Sequence, residues 1–435
     1  MEELSDVVSE NDILLNSINE GNILHIFEII ITYAKNQKLM LYGGTAVSYL
    51  MSKDKYPDLP STDAYPDYDF YSTDPIYHIC SIANEIHKIY PEANVSCVEA
   101  EHPGTYKLFC FYGKELLDMT YIPKHHYNIL LKKSTLIKGI VVCPPRFLII
   151  DYYKRLTNPL FWNKMEKVYY RYQYLLQNIT LSTKGGSREK MFIDKSSKDT
   201  DTLSILLSSY DKDILIHCGD NVYNHYVSVL DGKKHKTNSI VYEAYCKNPY
   251  KVISDFQKDI PDSQIEIYHK YFHFWEQKCV LKVKGVGKII LYKISKSSNI
   301  PFKEVDGVLL CSYMYLLMHL FIKCMYFDMN HLKNDSQRID QMILTLIQLR
   351  KEYNLKNKIQ HSINKKHPAR DFQMISETYG DRNTPKLYKA QLIEEKKLKK
   401  VPYVWRYEPK TGLKEPVPNN GYENISGNQI SNVNL

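Results

Sequence analysis

From Asn11 to Ala34 apolar residues return every three or four positions, with Asn11 or Asp12 placed to cap, so one or two helices are expected there. A short apolar stretch, LMLY, then runs into GGTAVSYLM, the pattern of a strand, a tight glycine turn and a helix. DYDFYS reads as the next strand, and Asp74-Pro75 opens a helix to about Tyr90. YKLFCFYG and KELLDMTYI form two strands of a hairpin joined at Gly113-Lys114. Helices are expected from Pro145 to Leu156 and from Pro159 to Asn178. The stretch LSTKGGSREK, from Leu181, has the composition of a linker.

The pattern recurs. Pro75 meets Pro249 (249 − 75 = 174) in DPIYHI against NPYKVI. Gly44 meets Gly219 (219 − 44 = 175) in LMLYGGTAV against LIHCGDNV. The Gly113-Lys114 hairpin meets Gly287-Lys288 (287 − 113 = 174), in YGKELLDMTYI against VGKIILYKIS. Strand, glycine turn, strand, helix and hairpin return in one order, which implies a duplicated domain whose second copy runs from about Thr202 to Phe327. The organisation expected is residues 1–180 as a first domain with its trailing helices, 181–330 as the second copy, and 331–435 as a helical and then irregular C-terminal region.

Length and charge fit this division. At 435 residues and 44% hydrophobic, the chain has material for at least two cores. Lysine and arginine exceed aspartate and glutamate by 57 − 49 = 8, a mild basic excess that suits a polyanionic partner without requiring one. Nine cysteines carry no CxxC and no framework spacing, so buried reduced thiols in a cytosolic-type compartment are expected. The acidic start MEELSDVVSE is unlike a secretory signal, and the longest apolar run, Tyr313 to Ile322, is about half a membrane span. A soluble protein with no membrane partner is expected.

The chemistry gathers on three acids. Asp67 and Asp69 are two apart on an expected strand, so both side chains face one side of the sheet. Asp118 lies in the hairpin strand between Leu117 and Met119, as an inward-aimed carboxylate would. Carboxylates brought together repel unless they hold a cation, and hard oxygen ligands suit Mg²⁺ completed by substrate phosphates. Two such ions would activate a 3′-hydroxyl and neutralise departing pyrophosphate. Gly43 and Gly44 leave a turn without Cβ atoms, so backbone N–H groups can approach phosphate at a helix start, with the Thr45 hydroxyl added at the first turn.

LYGGTAV, PDYDFYS and ELLDMTYIP resemble the hG[GS], DxD and third-Asp motifs of the polymerase-β nucleotidyltransferase superfamily. The 118 − 69 = 49-residue step from Asp69 to Asp118 and the degenerate second copy resemble, more narrowly, the poly(A) polymerase catalytic subunits of large double-stranded DNA viruses. The motifs cover the first third of the chain, and the repeat extends the likeness to about three quarters. The resemblance implies an α/β (α+β) fold with a polymerase-β-type domain followed by a degenerate copy. It implies template-independent transfer of AMP from ATP to an RNA 3′ end with two Mg²⁺ or Mn²⁺ ions. Asp67 and Asp69 would then ligate both metals, Asp118 would lie nearest the primer hydroxyl, and Gly43, Gly44 and Thr45 would cradle the triphosphate. Either homodimerisation or a separate processivity subunit is implied, with action in the virion or host cytoplasm.

At the common offset Asp67 becomes Val241, Asp69 becomes Glu243, Asp118 becomes Tyr292 and Gly43 faces Cys218, too few ligands for two metals. The second copy should therefore be a catalytically dead scaffold. Weaker signals remain. Lys164, Lys167 and Arg171 share a helix face and are candidates for the RNA backbone, a solvated face being the plainer reading. Lys154 is a candidate phosphate contact, against an ordinary surface lysine. EEKKLKK followed by VPYVWRY mixes basic and aromatic residues, as a single-strand binder or a solvated tail does. His125-His126 belongs to an expected exposed loop, and GVGK at Gly285 to the hairpin turn of the second copy. Two rival readings stand beside the polymerase: a nucleotidyltransferase of the same superfamily acting on a small molecule or protein, and a non-catalytic RNA-binding protein with vestigial acids.

Overall fold

A computed structural model describes residues 22–51, 67–157, 165–179, 181, 207, 210–211, 213–233, 241–293, 300–357 and 405–409, apart from a few positions inside these spans. Lys164, the segments 182–190 and 394–404, and residues 11–21 lie outside the described residues. The chain divides into two compact units, one of Met1–Pro145 with Val401–Ile430, the other of Arg146–Lys400 with Ser431–Leu435. This boundary lies ahead of the residue-180 division drawn from the sequence. The helix that follows it is apolar on a face that packs within the second unit, where Phe147 meets Phe272 and Phe274, and Tyr153 meets Tyr172 and Tyr315.

In the first unit the strands are β1 (Met40–Tyr42), β2 (Tyr68–Ser72), β3 (Ser96–Glu99), β4 (Thr105–Cys110), β5 (Lys114–Tyr121), β6 (Thr135–Ile137) and β7 (Ile140–Val142). They lie in the order β3-β4-β5-β2-β1-β7-β6. The pairs β2–β5 and β1–β7 are parallel and the rest antiparallel. The glycine motif forms no loop: the helix Gly43–Leu50 starts on the residue after β1. The helix Pro75–Ile89 starts where proline costs no hydrogen bond, and Asp74 caps it by accepting the Tyr77 N–H at 3.2 Å. Its buried positions Ile79, Ile82, Ala83 and Ile86 follow helical spacing, and the helix packs on β4 and β5. His125 and His126 lie in the first turn of a helix, Lys124–Lys133, rather than in a loop.

The second unit repeats this plan. Its strands are β8 (Ile216–Cys218), β9 (Val241–Cys246), β10 (Ser263–Tyr268), β11 (Lys278–Val283), β12 (Gly287–Lys293), β13 (Phe302–Val305) and β14 (Val308–Cys311). Their order, β10-β11-β12-β9-β8-β14-β13, matches the first sheet strand for strand, and every pairing keeps its direction. Tyr242, Ala244 and Cys246 of β9 join Val252, Ile253 and Phe256 of the helix Pro249–Asp259 in one buried cluster with Leu281 and Leu291. The opposite face of β9 carries Glu243 and Tyr245, which bond to a buried helix, Tyr313–Met329. That helix is apolar nearly all round, which accounts for the long apolar run in the sequence. No helix among the described residues is long and apolar enough to cross a membrane. All nine cysteines are free and buried.

Register corrects the residue matching between the copies. Gly43 and Gly219 each follow the first strand and open its helix, both with left-handed φ, +71° and +72°. The partner of Gly43 is therefore Gly219, not Cys218. Asp69 stands opposite Asp118 across β2–β5, whereas Glu243 stands opposite Ile290 across β9–β12. The third acid thus corresponds to Ile290 rather than Tyr292. A constant offset misses this because a register shift between Leu108 and Phe109 interrupts the β4–β5 hairpin, while β11–β12 pairs without one.

A final strand, β15 (Arg406–Tyr407), pairs antiparallel with the outer edge of β3 in the first unit. Trp405 is buried there with its ring 5.1 Å from Tyr106, and the Tyr407 hydroxyl donates to Asn84 Oδ1 at 2.6 Å. Its described part, Trp405 to Glu408, is accordingly no solvated tail.

Candidate active site

The first unit's acids stand on one face because pairing registers put them there. Asp69 on β2 lies directly opposite Asp118 on β5, and on the other side opposite Tyr42, the last residue of β1. Asp67 immediately precedes β2, two residues from Asp69 and therefore on the same face, and it is exposed. Tyr42 is held from beyond this row, stacked on Tyr71 at 3.9 Å between ring centroids and hydrogen-bonded to Thr120 at 2.7 Å.

Gly43 is fixed twice. Its φ of +71° disfavours any side chain, and a Cβ there would come within 1.8 Å of Asp69 Oδ2. The helix start is thereby pressed against the DxD carboxylate. No side chain caps the helix, and no acid lies in its first turn. Its leading N–H groups and positive dipole end are thus left for an anion. Gly44 is buried in the same turn, and the Thr45 hydroxyl donates to the Asp67 backbone carbonyl at 2.5 Å, tying the glycine turn to the acids.

Asp118 is the most perturbed acid of the group. Burial pushes its pKa up to about 7; the Lys107 ammonium works against this, while Glu115 and Asp67 add to it. One of its oxygens, Oδ1, is buried without a hydrogen bond, and the nearest cation, Lys107 Nζ, is 3.5 Å away. Lys107 is itself bonded to Glu115 at 2.5 Å and stands opposite Asp118 across β4–β5. Its pKa is raised: burial would lower it, but the two carboxylates outweigh burial. Sequence reading misses Lys107 and Glu115. The signal that could find them is a lone lysine inside the apolar strand YKLFC, placed to pair with the next strand.

A hard-oxygen trio with an orphaned carboxylate oxygen, beside a glycine that admits no Cβ, fits a divalent cation and a phosphate chain. Lys154 is in the second unit, where its ammonium stands 5.7 Å above the Phe274 ring. Lys167 lies in the helix Met165–Asn178, as does Arg171, whose Nε is buried without a partner.

In the second unit the corresponding position is neutralised from within. Glu243 is buried and bonds Lys323 Nζ and His319 Nε2, each at 2.7 Å. Burial opposes its ionisation, but Lys323 and then His319 hold its carboxyl far below the usual range. Asp220, in the position of Gly44, pairs with Arg338 at 3.0 Å and Lys323 at 3.7 Å. Ligand atoms of Cys218, Glu243 and His319 lie within 4.8 Å of one another, yet Lys323 already supplies the cation. An acid at the helix start is also adverse to phosphate.

Residues 28–162 match the family described as "Poly(A) polymerase catalytic subunit". A protein of Acanthamoeba polyphaga mimivirus, described provisionally as a poly(A) polymerase catalytic subunit, is 27% identical over 184 residues. That match spans 41% of this chain and only 31% of the relative's own length. The crystal structure of the Megavirus polyadenylate synthase superposes with a TM-score of 0.72 at 20% identity, covering 96% of this chain and 86% of that one. Residues 28–162 thus resemble the poly(A) polymerase catalytic subunit family, within a chain whose two-sheet fold is similar to that of a viral polyadenylate synthase.

Proposed function

We propose that this chain is a template-independent poly(A) polymerase that transfers AMP from ATP to an RNA 3′ end and releases pyrophosphate. The observation that carries it is the opposition of Asp69 and Asp118 across β2–β5, with the uncapped helix start at Gly43 against Asp69. Two Mg²⁺ or Mn²⁺ ions, when bound, would supply activation of the 3′-hydroxyl and neutralise charge on the leaving pyrophosphate. Asp67 and Asp69 would hold both ions. Asp118, at the far side of the row, would hold the ion that serves the primer hydroxyl. Backbone N–H groups of Gly43, Gly44 and Thr45 would orient the triphosphate along the helix dipole. Burial of Asp118 excludes water from the oxygen that must meet the cation.

The second unit acts as a scaffold, its equivalent acid already paired with Lys323. Product retention needs more phosphate contacts than one small unit offers, so Lys164, Lys167 and Arg171 are assigned to the RNA backbone. A second protomer or a processivity subunit would lengthen that path. Nine reduced thiols suit action in a reducing compartment, host cytoplasm or virion.

Incubating the protein with an RNA primer and each NTP in turn, with Mg²⁺ or Mn²⁺, tests the reading. Extension with ATP, several-fold above the other nucleotides, is expected. AMP transfer to a small molecule or a protein but not to RNA would favour another acceptor, and no transfer at all would favour a non-catalytic RNA binder.

A further inference from the structure

The sheet row through the site runs Lys107, Asp118, Asp69, Tyr42, each residue opposite the next on adjoining strands. Opposed residues share a face, so Lys107 is the one cation in a row otherwise aimed at binding one. The matching row of the second unit runs Val280, Ile290, Glu243, Cys218. There the third acid and the lysine are absent together, an apolar pair standing where Lys107 and Asp118 stand. Joint loss is what a lysine whose partner is that acid should show, since alone it would be an unpaired charge between apolar side chains.

Lys107 also has two carboxylates beside it. Its ammonium bonds Glu115 at 2.5 Å, while Asp118 Oδ1, 3.5 Å off, accepts no hydrogen bond. Glu115 is more exposed than Asp118, with side-chain exposures of 37% and 18%, so the ammonium has a solvated partner on one side and a buried one on the other. A divalent ion held by Asp69 and Asp118 would repel the ammonium, which its bond to Glu115 keeps beside the site.

Resting on the polymerase reading, we propose that Lys107 is a positioning residue, a counter-ion held by Glu115 beside Asp118 that compensates and aims this carboxylate where a divalent ion would bind. Its charge therefore competes with the metal for one carboxylate.

The test is Mn²⁺ binding to the free protein, followed by electron paramagnetic resonance, alongside kcat and KM for ATP. Lys107→Met should bind Mn²⁺ about fivefold more tightly, yet fall about tenfold in kcat with little change in KM, because Asp118 is no longer aimed. Lys107→Arg should keep both values near those of the parent. In an Asp118→Asn background, Lys107→Met should leave Mn²⁺ affinity nearly unchanged, the sign of a direct coupling. An equal gain in both backgrounds would show only a general field effect and overturn the proposal, as would unchanged affinity in the single variant. Asp69→Asn separates this from the parent reading. If that variant binds Mn²⁺ as the parent does, the site assignment fails and the Lys107 role with it. If it no longer binds Mn²⁺ while Lys107→Met is inert, only the Lys107 role fails.

Discussion

Lys323 holds its ammonium 2.7 Å from the Glu243 carboxylate, at the place in the second unit that Asp69 occupies in the first. A side chain from the buried helix Tyr313–Met329 thus supplies internally the positive charge that a metal ion would bring. Breaking a buried pair leaves one charge without a partner, which costs about 3–5 kcal/mol, more than the pair contributes when intact. Glu243→Ala should therefore lower the unfolding free energy by about that amount, while single-turnover AMP transfer by folded protein stays near that of the parent. Chemical denaturation and rapid-quench kinetics on one preparation check both halves; a large rate loss in folded protein would show that the second unit takes part in chemistry.

The two glycines that open the equivalent helices allow a paired comparison. Gly43→Ala forces a Cβ onto the Asp69 carboxylate, and a displacement of about 1 Å at a reacting centre costs on the order of 100-fold in rate. Gly219→Ala collides with Glu243 instead, 2.4 Å from Oε2, and should reduce stability without a comparable loss of rate in folded protein. Equal rate losses in the two variants would contradict the division of labour between the units.

Much of this is legible in the sequence, and the missing parts have physical causes. GGT, DxD and the third Asp can be placed because a glycine turn and a period of two fix which side chains share a face. The duplication is visible at Pro75 and Pro249, since proline at a helix start leaves a mark that survives divergence. Residue-by-residue matching fails at Ile290 because a register shift changes the offset inside a hairpin, and at Gly219 because the step from the helix-opening glycine to the strand acid is 69 − 43 = 26 residues in the first unit and 243 − 219 = 24 in the second. Lys107 shows in the sequence only as a lone lysine inside an apolar strand, because its meaning depends on which residue stands across the strand. Trp405 reads as part of a tail because nothing local tells a strand that augments a distant sheet edge from a solvated aromatic.

That last strand carries stability of its own. Trp405 is buried beside Tyr106, and its carbonyl accepts the Glu99 N–H at 3.0 Å. Trp405→Ala should cost the first unit about 3–5 kcal/mol. A denaturation midpoint unchanged by the substitution would return this segment to the status of a tail.

Asp118 gives the metal-free protein a dependence on pH. Its folded pKa of about 7 lies above the ordinary 3.8, so between these values the folded state binds more protons than the unfolded one. Stability should then fall as pH rises from about 4 to 7, with the penalty complete above 7 and amounting to roughly 2–4 kcal/mol. Asp118→Asn should be more stable than the parent at pH 8 in chelator, and the difference should disappear near pH 4. Urea midpoints at the two pH values measure this; a difference that grows in acid would reverse the sign and exclude the explanation.

Neutralising Lys164, Lys167 and Arg171 together should weaken RNA binding about equally for all sequences. It should also flatten the log–log salt slope by up to about 0.7–0.9 for each RNA phosphate that these side chains no longer neutralise, with ATP affinity unchanged. An unaltered slope would leave these three residues without a part in RNA binding.

The central assignment, one acid row in the first unit that adds AMP to RNA, is tested most directly by single-turnover extension of a primer. Parent, Asp69→Asn and Asp118→Asn should be compared in saturating ATP and Mg²⁺, with folding verified by circular dichroism. Both variants should fall at least about 10³-fold in rate, as expected when a transition-state charge is left uncompensated. Extension by either folded variant within tenfold of the parent would contradict the assignment.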